Sequence, residues 1–386
     1  MKTKKLNFGE LETFIMKATR RYAGAALLAL PLLFSSAAVP AETQLVQAAT
    51  PSATSSFNQI VSGIRREAMQ RGVSQATLDR ALQNIAPVSG LKRLEDYQPE
   101  TVQSFVDYYK GRVTPVRIER GQRMMLEHAD LLAKAERDYG VPAQYIVAIW
   151  AMETNFGDAI KPDAKGTQYI IPALITLARD GRNEKRRAYF RGEAINALKI
   201  LEQGYDQILT RKGSWAGAFG HTQFMPDSFL RLAADGDGDG IKDVWDNLAD
   251  VFASTGNYLA RNGWQEGERW GREVKLPAHF SRSLLTDKLA SQINKTPDQW
   301  AALGVKLPGG GALPSDSTMQ AMMIAPDGLN GPAFMVYGNF RTIMRYNSSY
   351  KYALAVAGIA DAIMAGSPAM TPPPAKPESS APALNQ

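Results

Sequence analysis

One acid, Glu153, closes the apolar run Ile146-Val147-Ala148-Ile149-Trp150-Ala151-Met152. A helix that is apolar on every side is normally buried, so this carboxyl emerges at a helix end just before Gly157, at the floor of a cleft. Desolvation disfavours the ionised form and raises a carboxyl pKa towards the range where it can donate a proton near neutral pH. Cleavage of a glycosidic bond requires such an acid. The same pattern equally fits a structural glutamate paired with a base such as Arg186. A two-carboxylate glycosidase needs a second acid across the substrate. Asp158 is the nearest in sequence, but it lies beyond Gly157 and close to Lys161, the setting of a solvated loop acid. A lone Glu153 would act first as acid and then as base, with the attacking group supplied by the substrate.

A second chemical pattern lies further on. Asp235, Asp237 and Asp239 occupy positions 1, 3 and 5 of an EF-hand-like loop, Gly240 is at its sharp turn, Ile241 offers a carbonyl, and Asp243 falls at position 9. Oxygen ligands at this spacing point to a structural calcium ion, with a solvated acidic turn as the alternative. Position 12 departs from the pattern, since Asp246 stands where a longer bidentate glutamate is usual. The chain has no cysteine and three scattered histidines, His128, His221 and His279. Disulfides, thiolate chemistry and attachment of lipid through an N-terminal cysteine are therefore excluded.

These groups must be carried by helices. From Phe57 to about Tyr258 the patterning is mostly helical, with breaks at Gly72, Gly90, Gly140-Val141-Pro142, Gly157 and around Gly217. Leu126, Ala129, Leu132 and Ala135 fall three apart, on one face of a helix that Gly140 and Pro142 stop. Between residues 263 and 332, Gly309-Gly310-Gly311, several prolines and short alternating pieces predict a smaller, partly β module, and residues 333–366 return to the helical core. The fold class expected is mainly α, with residues 57–262 as the main helical core.

The ends read differently. Lys17, Arg20 and Arg21 precede an apolar run from Ala23 to Phe34, and Val39 and Ala41 fit a signal-peptidase site, so residues 1–41 are expected to be a cleaved signal peptide. Translation from Met16 would give a more typical segment. Residues 42–56 read as a linker, and 367–386, rich in Pro and Ala, as a disordered tail.

Several long blocks, in order, carry a resemblance. Ala148-Ile149-Trp150-Ala151-Met152-Glu153-Thr154-Asn155-Phe156-Gly157, then Gly213 to Pro226, Asp235 to Gly240, Asn257-Tyr258-Leu259, Asn262-Gly263-Trp264 and Arg345-Tyr346-Asn347 closely resemble the lytic murein transglycosylase B family. The resemblance implies a lysozyme-like core and cleavage of the β-1,4 bond between N-acetylmuramic acid and N-acetylglucosamine in peptidoglycan, leaving a 1,6-anhydro ring. It implies that Glu153 is the single acid/base and that no cofactor serves catalysis. By the same resemblance Ser214 and Gln223 lie beside the glutamate and the sugars, where capping and backbone packing are their plainer roles. Tyr108, Tyr189, Tyr258, Tyr346 and Asn347 match groove residues, and Arg186 and Arg187 match a basic pair on the stem-peptide side. The family carries a calcium loop at Asp235, in which Asp250 competes with Asp246 as a ligand. A muramidase using water in the same groove and a non-catalytic wall-binding protein are the rival readings.

Removing residues 1–41 takes six basic and two acidic groups from a chain of net charge +6, leaving 38 basic against 36 acidic side chains. Nucleic-acid binding loses its motive. The expected partner is the glycan strand, and the expected location is the periplasm, with no stable membrane anchor.

Overall fold

The computed structural model describes residues 51–96, 102–286 and 293–366. It begins with α1 (Pro51–Gln70), α2 (Gln75–Leu82), α3 (Leu91–Asp96), α4 (Phe105–Arg112), α5 (Pro115–Glu127), α6 (Ala129–Tyr139) and α7 (Ala143–Thr154). The middle of the chain forms β1 (Gln168–Tyr169), α8 (Ile170–Asp180), α9 (Glu184–Glu202), α10 (Gln207–Thr210), β2 (Lys212–Gly213), α11 (Pro226–Leu232) and α12 (Leu248–Arg261). Then follow β3 (Gly271–Val274), α13 (Pro297–Ala302), β4 (Met322–Ile324), β5 (Ala333–Val336), α14 (Gly338–Tyr346) and α15 (Tyr350–Gly366). The signal-peptide reading of 1–41 and the tail reading of 367–386 fall outside the described residues. Of the linker expected over 42–56, residues 51–56 instead belong to α1, which starts at Pro51, a residue suited to a first helical turn, and 42–50 lie outside the described residues.

Glycine and proline place the helix ends as expected around the site helix. Gly140 ends α6 in the left-handed conformation, its N–H donating to the Glu136 carbonyl at 2.8 Å, and Pro142 precedes α7. The Glu136 carboxylate accepts from the Ala143 N–H at 3.1 Å, satisfying one of the open donors of the first turn of α7. The single helix drawn through Leu126 and Ala135 is in fact two, parted at His128. Leu126, at 63% exposure, faces solvent, while Leu132 and Ala135 are buried as the periodicity implied.

The core has three parts. One surrounds α7, from Tyr145 to Ala151, and takes in side chains of α12, α14 and α15. A second joins α1, α2, α8 and α9. The third lies on the small sheet and includes Trp300 and Met323. That sheet is antiparallel in the order β3-β5-β4, with Gly271 opposite Val336 and Ile324 opposite Phe334. Its central strand is residues 333–336, so the β module runs past the 332 boundary drawn from sequence. Ala333, Phe334, Met335 and Val336 are all buried and give no alternation to distinguish a strand from a buried helix.

Helix α15 packs along α7 and crosses α4 and α5. At Gly358 the crossing is so close that an added Cβ would run into the Tyr109 hydroxyl and ring. Helix propensity alone would favour alanine there by about 1 kcal/mol. Steric overlap reverses the sign. Gly358→Ala should lower the melting temperature by several degrees, measured by thermal unfolding, whereas a gain would show that the α4–α15 crossing yields freely.

Candidate active site

Glu153 stands in the last turn of α7, half-buried, and the chain then makes an abrupt exit. Asn155, Phe156 and Gly157 are three successive residues with positive φ, at 50°, 59° and 90°. Asn155 tolerates this conformation, but a bulky Phe there is strained. Packing holds it: Phe156 is buried, edge-on to Trp150 at 5.4 Å, with the Arg120 guanidinium over its other side at 4.9 Å. Gly157 permits contact with the loop opposite, since a Cβ would come within 2.5 Å of the His221 ring.

That loop, residues 213–226, is pinned to α7 by two bonds. The Trp150 indole N–H donates to His221 Nδ1 at 2.8 Å, and the Thr154 hydroxyl donates to the His221 carbonyl at 3.4 Å. Burial lowers the His221 pKa, which favours the neutral ring needed to accept at Nδ1. Within the loop, the Ser214 oxygen accepts from the N–H groups of Ala216 (3.3 Å) and Ala218 (3.0 Å). Gln223 is held at φ 48°, with its side-chain amide donating to the Gly220 carbonyl at 2.9 Å.

Helix α15 supplies the direct partner of the acid. The Tyr352 hydroxyl donates to Glu153 Oε1 at 2.5 Å. Burial, then the charge of Glu153, pushes the Tyr352 and Tyr346 hydroxyls well above their ordinary pKa. Tyr258 is pushed up to about 12, chiefly by burial and also by Glu153. The rings of Tyr258 and Tyr346 lie 4.5 Å apart, and their hydroxyls donate to the carbonyls of Arg345 (2.5 Å) and Thr222 (2.6 Å). Asn347 follows at the end of α14, half-buried. One carboxylate thus sits among phenols that stay protonated at any physiological pH.

Asp158 belongs to a different environment. Arg120 reaches it at 2.5 Å and Lys161 at 2.7 Å, and these bonds hold its carboxyl well below the usual range. It is a paired scaffold acid rather than the freely solvated one expected. Arg186 does not pair with Glu153 either: it binds the buried Glu95 at 2.8 Å and lies over the Phe190 ring. Sequence separation hid this partner, 91 residues away. Arg187 donates to the Gly181 carbonyl at 3.1 Å, and Tyr189 is exposed beside the Arg186 guanidinium. Tyr108 is 2% exposed, so it packs within the protein instead of lining an open groove.

The aspartate loop also rearranges the expected set. Ligand oxygens of Asp235, Asp237 and Asp250 lie within 4.8 Å of one another. Asp250 is fully buried and accepts from the N–H groups of Gly236 and Asp243, each at 2.6 Å. Burial and the charges of Asp237 and Asp235 raise its pKa. Asp246 turns away to Arg211 at 2.5 Å and stands outside the three-acid group. The Asp239 and Asp243 carboxylates accept N–H bonds from Ile241 and from Trp245 and Asp246, and stand outside the three-acid group. Among the described residues no cation pairs with Asp235, Asp237 or Asp250. The oxygen-only donors and their mutual repulsion fit a hard divalent cation.

The family model of the transglycosylase SLT domain matches residues 56–361. The chain belongs to this transglycosylase family. It is 33% identical over 313 residues to membrane-bound lytic murein transglycosylase B of Escherichia coli, covering 78% of this chain and 79% of that protein. Among solved structures, SltB3 of Pseudomonas aeruginosa in complex with NAG-NAM-pentapeptide matches with a TM-score of 0.72 and 39% identity, over 80% of each chain. Escherichia coli Slt35 in complex with calcium matches with a TM-score of 0.66 and 29% identity, over 80% of this chain and 92% of that one. This transglycosylase therefore has the mainly helical, lysozyme-like fold expected, and it is an enzyme of the lytic transglycosylase class.

Tyr352 escaped the sequence reading. The one signal for it is a tyrosine at the start of the apolar segment 350–366. Tyr352→Phe keeps the packing and removes the donor to Glu153. We expect kcat to fall by about 10- to 100-fold with the melting temperature within a few degrees of the parent, since one positioned hydrogen bond to an acid/base is worth that much. Unchanged kcat would remove Tyr352 from the site.

Proposed function

We propose that this transglycosylase cleaves the MurNAc-β-1,4-GlcNAc bond of peptidoglycan without water, with Glu153 as its single acid/base. The observation that carries the reading is the placing of Glu153 beside the hydroxyls of Tyr258, Tyr346 and Tyr352, while the nearest acid in sequence, Asp158, is committed to Arg120 and Lys161. The protonated Glu153 gives its proton to the glycosidic oxygen as the C1–O4 bond breaks. The substrate's N-acetyl carbonyl stabilises the charge growing at C1. The carboxylate then takes the proton of the C6 hydroxyl as O6 bonds to C1, which restores the acid and leaves a 1,6-anhydro end. Intramolecular attack gains about 7 kcal/mol or more when well aligned, so one acid suffices.

The remaining residues fit supporting roles. Ser214, Gln223, Tyr258, Tyr346 and Asn347 offer hydroxyl, amide and aromatic contacts to the sugars around Glu153. Arg186, Arg187 and Tyr189 would meet the strand or its peptides further along. The basic start and apolar run of residues 17–34 support export to the periplasm, and no helix among the described residues is long and apolar enough to cross a membrane.

Digestion of purified sacculi tests the chemistry. The parent enzyme should release muropeptides lighter by one water than those of a muramidase, and Glu153→Gln should release none above background. Products one water heavier, or undiminished release by Glu153→Gln, would sink the mechanism.

The same reading assigns Asp235, Asp237 and Asp250 to a structural calcium ion. Calcium in excess over its dissociation constant should raise the melting temperature by about 2–4 °C. The rise should vanish with chelator or in Asp250→Asn and survive in Asp246→Asn. An identical response in both variants would dismiss the assignment.

A further inference from the structure

The small β module and the first turn of α14 enclose a polar cavity of about 330 Å³, whose wall includes Glu268, Asn294, Thr318, Gln320, Met322 and Arg341. Nothing in the mechanism uses it. Arg341 donates from Nε to the Met322 sulfur at 3.3 Å and from Nη2 to the Asn294 side-chain oxygen at 2.8 Å. A thioether is a weak acceptor, and a guanidinium has five donors in a fork that matches a carboxylate. Glu268 accepts from the Asn339 N–H at 2.8 Å, which leaves most of its acceptor capacity unspent. Among the described residues neither charge has an ion-pair partner, and they do not pair with each other although both line one cavity. A fixed cation and a fixed anion held apart in a concave site are complementary to a zwitterion.

We propose that this cavity binds the peptide stem of the substrate through a free amino-acid centre, its carboxylate on Arg341 and its ammonium on Glu268. The proposal rests on the peptidoglycan reading above. A stem residue such as diaminopimelate, whose side chain ends in an amino group and a carboxylate on one carbon, has the required chemistry. The distance is within reach. Arg341 and Tyr346 share α14, five residues or about 7.5 Å of helix rise apart, and leave it on different faces. A stem of five residues spans about 17 Å when extended, enough to pass from a muramoyl unit beside Tyr346 around the helix to the cavity. The β module would then select peptide-bearing strands while α7 performs the cleavage.

The test compares peptide-bearing glycan strands with the same strands stripped by an amidase, using the full chain and the variants Arg341→Gln, Arg341→Lys and Glu268→Gln. The two neutral variants should raise KM for peptide-bearing strands by about tenfold, with kcat and the KM for stripped strands unchanged. Arg341→Lys should recover part of the loss. Equal changes on both substrates, or none, would overturn the proposal. Calorimetry with the soluble stem tetrapeptide reads binding without turnover: heat with the parent that is lost in Arg341→Gln and Glu268→Gln supports the site, and no heat with the parent refutes it. Free diaminopimelate should compete, whereas alanine tetrapeptide should not. Failure of the parent to cleave either strand would count against the active-site reading, and the calorimetry would still decide this one.

Discussion

Burial of α7 is the constraint on which the site depends. Ile146, Val147, Ile149 and Trp150 are sealed in the core, and at about 1.5–3 kcal/mol each their burial far exceeds the roughly 1–3 kcal/mol of strain at Phe156. The helix therefore dictates where its last turn surfaces, and the chain beyond it must accept an unfavourable backbone. Glu153 is fixed by that balance to about the precision of the core itself. The loop at His221 and helix α15 then close on the same turn, one through the Trp150 indole and the other through the Tyr352 hydroxyl.

The acids of this chain divide by their neighbours. Asp158 and Glu95 are neutralised by arginines and serve the scaffold. Glu153 has the Tyr352 hydroxyl donating to it, a neutral partner, with the Tyr258 and Tyr346 rings nearby. Among the described residues Asp250 has only backbone N–H groups and two other aspartates around it, an arrangement that concentrates negative charge. Three environments thus give one functional group, the carboxylate, three kinds of work, and the difference lies in whether the partner is a cation, a neutral donor or another anion.

Much of this was readable in the residues. The all-apolar surface of α7, its single acid and the breaks at Gly140 and Gly157 are local signals, and the structure follows them. What escaped depends on distant parts of the chain. Tyr352 meets Glu153 across 199 residues and Arg186 meets Glu95 across 91, and no periodicity encodes such pairings. In the aspartate loop, counting positions favoured Asp246. The first turn of α12 instead delivers Asp250 from the core side, and Arg211 draws Asp246 outward. Strand β5 was hidden because a strand buried on both faces has no polar alternation to announce it.

In the proposed mechanism a site with one carboxylate succeeds because the substrate supplies its own nucleophile. Digestion of sacculi in ¹⁸O-labelled water measures this directly. Muramoyl products should carry no ¹⁸O at C1 under conditions where a hydrolytic muramidase labels every new end. One ¹⁸O atom per cleavage would show that water attacks C1 and would contradict this mechanism.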